Sequence, residues 1–329
     1  MAEKIALLEL LPEFTFTDKA RGLSAGTIAK HKKVLSVFFK FINSNHQVMY
    51  LNEVKLFHVR SFVVDQLESG LTESYVNTFI RSIRAFFVFC ENEGYIDHTE
   101  NPCTRLKWLK EQKKVIKAYS DTDVKKMLKY VYDQTRVHQK NNKGLASRYF
   151  AERDRFILMT LADTGLRVSE LCNLTDATFN ESGITVVRGK GKKDRFMYTS
   201  AILMKQKMKY DRIKKQYFEA KPTIKCQDYV FLTKDGNRIT VDMVQRSIKK
   251  IGKLAGIDET VRCSPHTFRH YFTQAQIANG ASIYTLQKLL GHSSVKTTEI
   301  YLASLQNHII LDEGKDTSPL MNIGSRYTT

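Results

Sequence analysis

Two stretches toward the carboxyl end of the sequence carry side chains that could together act on a phosphate group. They are Ser264-Pro265-His266-Thr267-Phe268-Arg269-His270 and Gly291-His292-Ser293-Ser294-Val295-Lys296-Thr297-Thr298-Glu299-Ile300-Tyr301. The phenol of Tyr301 is a useful nucleophile only when cations or a base help it to lose its proton, because a free tyrosine has a pKa of about 10. A phenol that attacks a phosphate also needs cationic donors around the phosphate oxygens. Taken alone, such a tyrosine is more often a half-buried packing residue.

The first stretch has the pattern of a helix start. Ser264 is a good N-cap and Pro265 is favoured at the first helical position, so His266 and Arg269 should share one face near the helix N-terminus. Phosphates bind readily at such a position. His270 is expected to point elsewhere and to be structural.

The second stretch begins where one helix should end. Gly291 favours a helix C-terminus, and the serines after His292 favour the start of another helix. His292 is therefore expected at a corner between helices, where it can face a cleft. A lone histidine at a corner is usually structural.

A third segment places Arg167 three residues before Glu170, after a turn at Gly165. Residues at this spacing share a helical face. One interpretation is a surface ion pair worth less than about 1 kcal/mol. The other is that Arg167 grips a phosphate while Glu170 holds the charges of the site in place.

Two strand-like runs, 184–188 and 196–199, flank a turn rich in glycine and lysine, and together they predict a β-hairpin. Lys190, Lys192 and Lys193 lie in this turn. They are either solvated or within reach of a leaving oxygen, which a lysine can protonate and an arginine cannot, because arginine holds its proton too tightly.

Composition indicates a polyanionic partner. The chain has 329 residues, which suits two domains, and a formal net charge of +18. Nucleic acid is the first candidate, with a generally basic proteome or a membrane surface as the alternatives. The five cysteines are scattered without a C-x-x-C pair, which favours reduced thiols in the cytoplasm over disulfides or a zinc site. We expect no signal peptide and no membrane span, because the N-terminal apolar stretch is flanked by acids and no apolar run is long enough.

The hydrophobic periodicity predicts helices that position these side chains. In the first part they cover 27–42, 56–67 and a run from about 72 to 94, in which Phe86, Phe87 and Phe89 are expected in the core rather than on a stacking surface. A cation-rich segment follows, which is either a solvated linker or a tether that becomes ordered on DNA. Its cations include Arg105, Lys107, Lys110, Lys113 and Lys114. The later helices are expected from Ser120 through Val131 and at about 155–161, 201–219, 241–254, 266–279, 282–290 and 294–303.

In this order the residues resemble the signature of the tyrosine recombinase family, also called the phage integrase family: Arg, Lys, His-x-x-Arg, His or Trp, and Tyr. The matching runs are Thr164-Gly165-Leu166-Arg167-Val168-Ser169-Glu170-Leu171, Gly189-Lys190-Gly191, His266-Thr267-Phe268-Arg269-His270, Leu290-Gly291-His292-Ser293 and Tyr301. The resemblance extends over nearly the whole chain. It implies a mainly α fold with a small antiparallel β-sheet. It also implies a two-domain DNA clamp, made of a helical SAM-like core-binding domain and a catalytic domain.

The resemblance also implies roles. Tyr301 is expected to attack a DNA phosphodiester and form a 3′-phosphotyrosine, while Arg167 and Arg269 hold the non-bridging oxygens and His292 donates a further hydrogen bond.

Three further roles complete the site. His266 is the expected proton acceptor, Lys190 the acid for the departing 5′ oxygen, and Glu170 a supporting residue that does not react. No metal and no nucleotide cofactor is expected, because arginines neutralise the charge and the covalent link stores the phosphodiester energy. Beside the cations of the linker, Lys192 is expected to contact DNA.

The expected organisation is a core-binding domain over 1–103, a basic linker over 104–118, a catalytic domain over 119–305 and a tail over 306–329. The tail carries Ile309, Ile310 and Leu311 among polar residues. We expect these three side chains to dock either on a neighbouring protomer or on the protomer to which they belong. The expected partners are double-stranded recombination sites, bound by a homotetramer on two duplexes that is a monomer or dimer when free. The expected location is the cytoplasm of a prokaryote, at the nucleoid.

Two alternatives remain at this point: a type IB topoisomerase, which reseals without exchanging partners, and a non-catalytic DNA-binding regulator. Among recombinases the layout resembles both Xer-type chromosome-dimer resolvases and compact enzymes of mobile elements. The segment 136–148 and the tail look like additions to a minimal Xer plan, which favours a mobile element that integrates, excises or is resolved through a Holliday junction.

Overall fold

The structure is a computed structural model that describes residues 4–111, 117–140, 144–187 and 194–291. The chain divides into two units, Met1–Lys114 and Val115–Thr329. Among the described helices, none combines the length and the apolar character needed to cross a membrane. Outside the described residues lie Lys113, Lys114, Lys190, Lys192, Lys193, His292, Tyr301, the helix expected over 294–303 and the tail over 306–329.

The first unit is a helical bundle of α1 (Leu7–Ala20), α2 (Ala25–His46), α3 (Leu56–Glu68) and α4 (Glu73–Asn92), with a 3-10 turn at Leu51–Glu53. Helix α2 contacts each of the other three. The side chains of Ser24 and Thr72 accept backbone hydrogen bonds at the starts of α2 and α4, the usual role of these residue types at a helix N-terminus. The core placement of Phe86, Phe87 and Phe89 is confirmed, since all three are buried.

Helix α1 is an element that the sequence reading missed. It begins without a side-chain cap and contains Pro12, and both features argue against a helix. A helical apolar face is nevertheless present, with Leu7, Leu10, Leu11 and Phe14 buried at intervals of three and four. Burial of this face on α2 stabilises a helix that local propensity alone disfavours.

The first half of the cation-rich segment packs against the first unit. Leu106 is buried and Leu109 contacts the core. The side-chain amide of Asn77 binds both backbone groups of Leu109, each at 3.0 Å. The guanidinium of Arg84 donates to the Leu106 carbonyl and lies 4.6 Å from the ring centre of Trp108. The interpretation of 104–111 as a solvated tether is therefore wrong. Although its cations are charged, Leu106 and Leu109 lie between them and pack against the core of the first unit. Exposed along this segment are Arg105, Lys107 and Lys110.

The second unit is mostly helical. Its described helices are α5 (Asp121–Lys140), α6 (Leu145–Thr164), α7 (Val168–Cys172), α8 (Ala201–Glu219), α9 (Val241–Leu254), α10 (Pro265–Ala278) and α11 (Ile283–Leu290). Helix α6 is the central element and contacts α5, α8, α9 and α10. The predicted helix at 155–161 is real but longer, because buried residues recur from Tyr149 to Thr164.

The second unit also contains a small antiparallel sheet in the order β1 (Phe179–Asn180), β2 (Gly183–Val186) and β3 (Arg195–Met197). Strands β2 and β3 are the predicted hairpin, with Thr185 paired to Phe196. The expectation of a mainly α fold with a small antiparallel sheet is confirmed. Helix α11 contacts both β3 and α10, which brings the hairpin and the histidine–arginine helix to one place.

Candidate active site

The turn that carries Arg167 depends on Gly165. Helix α6 ends there in a left-handed conformation, with a φ of 58°. A Cβ at Gly165 would lie 2.4 Å from Cδ1 of Phe272 on α10. Only glycine allows both this φ and this close approach, so the turn is fixed against α10.

Arg167 and Glu170 form an ion pair that caps the start of α7. The backbone N–H of Arg167 donates to Oε2 of Glu170 at 2.9 Å, and its Nη1 donates to Oε1 at 3.0 Å. The side chain of Glu170 is 14% exposed and that of Arg167 is 40% exposed. The pair is thus more enclosed than the surface ion pair considered from the sequence.

Helix α10 positions Arg269 as its cap predicts. The side chain of Ser264 accepts from the N–H of Thr267 at 3.3 Å, and Pro265 lies in the first turn. Arg269 is buried, and it donates to the carbonyl oxygens of Gly165 and Leu290, each at 2.8 Å. It therefore links the end of α6 to the end of α11.

Two arginines contact the carboxyl end of α11. Gly291 closes this helix in the left-handed region, with a φ of 60°, as the sequence predicts. The carbonyl oxygen of Leu290 accepts from Arg269 at 2.8 Å and from Nη1 of Arg167 at 3.5 Å. Both arginines of the sequence signature therefore converge on one oxygen, although 102 positions separate them in the sequence (269 − 167).

His266 lies beside this cluster at the first turn of α10. The residue is exposed, but its ring is partly withdrawn from solvent, and its centroid lies 4.6 Å from that of His270 in an edge-to-face contact. Partial burial lowers the pKa of His266 first, and the charges of Arg269, Arg262 and Arg167 lower it further. The imidazole is therefore neutral at pH 7 and able to accept a proton.

His270 is buried, with its ring against that of His266, and its structural role stays a prediction. Burial lowers the pKa of His270 to about 4, with smaller effects from His266 and Arg269.

Arg195 is a residue of the site that sequence reasoning missed. Its Nη1 and Nη2 donate to the two oxygens of Glu170 at 2.9 and 2.7 Å, and its Nε donates to the carbonyl of Leu289 at 2.8 Å. Burial alone raises the pKa of Glu170, but the hydrogen bonds and charge of Arg195, together with the bonds from Arg167, bring it down to about 2. The available signal was strand alternation, which puts Arg195 on the same inward face as the buried Met197.

The structure thus brings together four of the predicted side chains, Arg167, Glu170, His266 and Arg269, and adds Arg195 to them. Among the residues described, no group of three or more His, Cys, Asp or Glu side chains is arranged to hold a metal ion.

Comparison with known proteins decides the family. The model of the phage integrase family matches residues 138–308, and that of the phage integrase N-terminal SAM-like domain matches residues 14–94. The chain belongs to the phage integrase family. Members of this tyrosine recombinase family cleave and rejoin DNA, so the expectation of a DNA strand-exchange enzyme is confirmed.

Individual relatives agree with this assignment. The tyrosine recombinase XerA of Pyrococcus horikoshii is 30% identical over 312 residues, which cover 93% of each chain. The fold is similar to that of the XerH site-specific recombinase bound to its palindromic difH substrate, with a TM-score of 0.68 and 17% identity over 90% of this chain and 82% of that one. It is also similar to a lambda integrase tetramer bound to a Holliday junction, with a TM-score of 0.66 and 12% identity over 91% and 78% of the two chains.

Proposed function

We propose that this member of the phage integrase family is a site-specific recombinase in which Tyr301 is the nucleophile. The observation that carries the proposal is the convergence of Arg167 and Arg269 on the Leu290 carbonyl, with the neutral His266 beside them. Two guanidiniums held together can bind the non-bridging oxygens of one phosphate, where negative charge grows in the transition state.

The proposed step balances as follows. The Tyr301 oxygen forms a bond to the phosphorus, the bond from phosphorus to the 5′ oxygen breaks, and a 3′-phosphotyrosine remains. His266 takes the phenolic proton, Lys190 protonates the departing 5′ oxygen, and His292 donates a hydrogen bond to the phosphate. Rejoining reverses these steps with a new 5′-hydroxyl, so neither ATP nor a metal is required.

Basic residues supply most of the proposed affinity for duplex DNA. The exposed Arg105, Lys107 and Lys110 lie near the carboxyl end of the first unit, and Lys113, Lys114 and Lys192 are assigned to the same task from the sequence. We place the core-binding domain at 1–103, a basic linker at 104–118 and the catalytic domain at 119–305. Such contacts to phosphates make binding steeply dependent on salt.

Strand exchange needs a second duplex, and for this reason we propose a homotetramer on two recombination sites, with a monomer or dimer when free. The lambda integrase tetramer on a Holliday junction supports this arrangement by similarity of fold. The tail over 306–329 is proposed to dock on a neighbouring protomer through Ile309, Ile310 and Leu311. The enzyme would act in the cytoplasm, on integration, excision or resolution of a mobile element.

Covalent trapping tests the chemistry without knowledge of the target site. The probe is a pool of nicked duplex oligonucleotides with randomised arms, in which the short fragment that carries the released 5′-hydroxyl diffuses away and so traps the adduct. Wild type should give a denaturant-resistant protein–DNA adduct, and Tyr301→Phe should give none. Tyr284→Phe is the matched control, because Tyr284 is an exposed tyrosine of α11 that we assign no role.

The outcomes separate the alternatives. No adduct with any member of the pool refutes the proposal and favours a DNA-binding regulator. An adduct that reseals but never joins a second duplex favours a type IB topoisomerase. Sequencing the trapped DNA and the DNA that flanks the gene then shows whether the site belongs to a mobile element.

A further inference from the structure

We infer that Arg195 is a positioning residue of this site: it holds Glu170, and through Glu170 it holds Arg167, against the end of α11. The inference rests on the proposed function, because it concerns the placement of the arginine that is to bind the phosphate. Arg195 does not itself need to contact DNA.

The contacts of Arg195 use its whole guanidinium. Two nitrogens form a fork with the Glu170 carboxylate at 2.9 and 2.7 Å, and Nε donates to the Leu289 carbonyl at 2.8 Å. The side chain is only 8% exposed. One residue therefore joins β3, α7 and the end of α11, which are the segments that bring the site together.

Stability alone is a weak reason for such a group. A buried ion pair loses the hydration of both charges, and well-packed apolar side chains in its place are often as stable. The planar fork offers something that apolar packing does not, namely a fixed orientation of the carboxylate.

The fixed orientation of the Glu170 carboxylate also fixes the position of Arg167. Each oxygen of Glu170 accepts one bond from Arg195 and one from Arg167, at 2.9 and 3.0 Å for Oε1 and at 2.7 and 2.9 Å for Oε2. A rotation of the carboxylate would break all four bonds. Arg167 is thereby held through Nη1, while its Nε and Nη2 have no hydrogen-bond partner within the part of the chain that the structure describes. These donors lie on a side chain that is 40% exposed, so they can take a phosphate oxygen.

Arg195 also keeps the carboxylate charged. Removing Arg195 takes away the hydrogen bonds and the charge that most lower the pKa of Glu170, while its burial continues to raise it, so this pKa rises from about 2. Protonation of Glu170 would then release Arg167 at mildly acidic pH. In the wild type Glu170 stays ionised throughout the range in which the enzyme is assayed.

The test compares Arg195→Gln and Arg195→Lys with Arg153→Gln as the matched control. Arg153 is another buried arginine of the second unit, bound to the Leu232 carbonyl and to Asp154, and has no contact with Glu170. The rate of adduct formation is measured between pH 5 and 8 on the nicked duplex selected with wild type, beside circular dichroism and gel-shift affinity.

Arg195→Gln should slow adduct formation about 100-fold, the loss typical of a displaced reacting group, with DNA affinity unchanged. The loss should grow below about pH 6, where the carboxyl of Glu170 begins to be protonated. Arg195→Lys should recover part of the rate, and Arg153→Gln should retain the wild-type rate. Adding Glu170→Gln to Arg195→Gln should remove the extra loss at low pH, because no carboxyl remains to titrate.

Other results overturn the inference. A folded Arg195→Gln protein with the wild-type rate refutes it, and so does a loss that is equal at every pH, which a purely structural role predicts. If Arg195→Gln does not fold, the same criteria apply to Arg195→Lys. A wild-type protein that forms no adduct refutes the proposed function, which is a result distinct from either of these.

Discussion

Arg269 donates a hydrogen bond of 2.8 Å from Nη2 to the carbonyl oxygen of Leu290, the last residue of α11. The acceptor is one of the carbonyls that a helix end leaves without an internal partner. The helix end and the buried arginine therefore satisfy each other, and the guanidinium is oriented by backbone atoms that cannot change rotamer.

Replacing Arg269 by lysine should lower adduct formation by about 100- to 1000-fold, the effect of removing one donor that stabilises a transition state. A lysine keeps the charge but cannot reach the carbonyls of Gly165 and Leu290 together. Arg246→Lys serves as control, because this exposed arginine pairs with Asp242 in the preceding turn of α9 and is assigned no role in the site. Equal rates for both variants would contradict the prediction.

Alanine at Gly165 should destabilise the second unit and abolish most of the activity. The left-handed backbone costs an alanine about 1–2 kcal/mol, and the clash with Phe272 adds to that cost. Gly256→Ala is matched in backbone, with a φ of 69° but nothing within 4 Å of the added carbon. The temperature of thermal unfolding should fall clearly more for Gly165→Ala than for Gly256→Ala. Adduct formation should be lost in the Gly165→Ala protein alone.

The acid side of the pH–rate profile should report His266. Because the pKa of His266 is lowered, its neutral form persists as the pH falls through about 6.5, and activity should be lost only below that value. Arg262→Gln removes one of the charges that lower this pKa, so the acid limb should move to higher pH. The control Arg238→Gln, an exposed arginine that does not contribute to this shift, should leave the limb in place.

The first unit should depend on its aromatic core. Phe86 is fully buried and contacts Phe14, Phe39 and Phe87. Phe86→Ala should therefore lower the free energy of unfolding by about 3–5 kcal/mol. Val88→Ala, at a site that is 46% exposed, should cost far less. Denaturant titration of both proteins measures the difference, and similar values would place Phe86 outside the core.

Neutralising the exposed cations Arg105, Lys107 and Lys110 should weaken binding to any duplex. If each contacts a phosphate, the slope of log K against log salt should fall by about 0.9 for each, or about 2.7 for the triple glutamine variant. A variant of equal charge with glutamine at Lys215, Lys225 and Lys234 is the control. An unchanged slope for the first variant would remove these residues from the DNA interface.

Much of the site was predictable from local signals. The caps at Ser264 and Gly291 follow from residue type, and the spacing of His266 and Arg269 follows from helical geometry. Tertiary pairing was harder to foresee. Arg195 lay just outside the strand predicted over 196–199, and only its position two residues before a buried methionine marked it as inward-facing.

The remaining misses have a common cause. The proline within α1 and the cations around Leu106 are strong local signals for irregular or solvated chain. In both places a few apolar side chains pack against the core, and this packing outweighs the local signals. Sequence propensities do not capture such tertiary packing. An apolar spacing of three or four within an unfavourable segment was the clue in each case.

The end of α11 has an electrostatic consequence. Arg167, Arg195 and Arg269 each donate to a carbonyl at this helix end, and like charges held close together repel one another. The carbonyls of Leu289 and Leu290 carry only partial negative charge, which lies at the negative pole of the helix. They offset part of this repulsion within the site, and a fully charged phosphodiester, the substrate proposed above, is a stronger acceptor than either carbonyl.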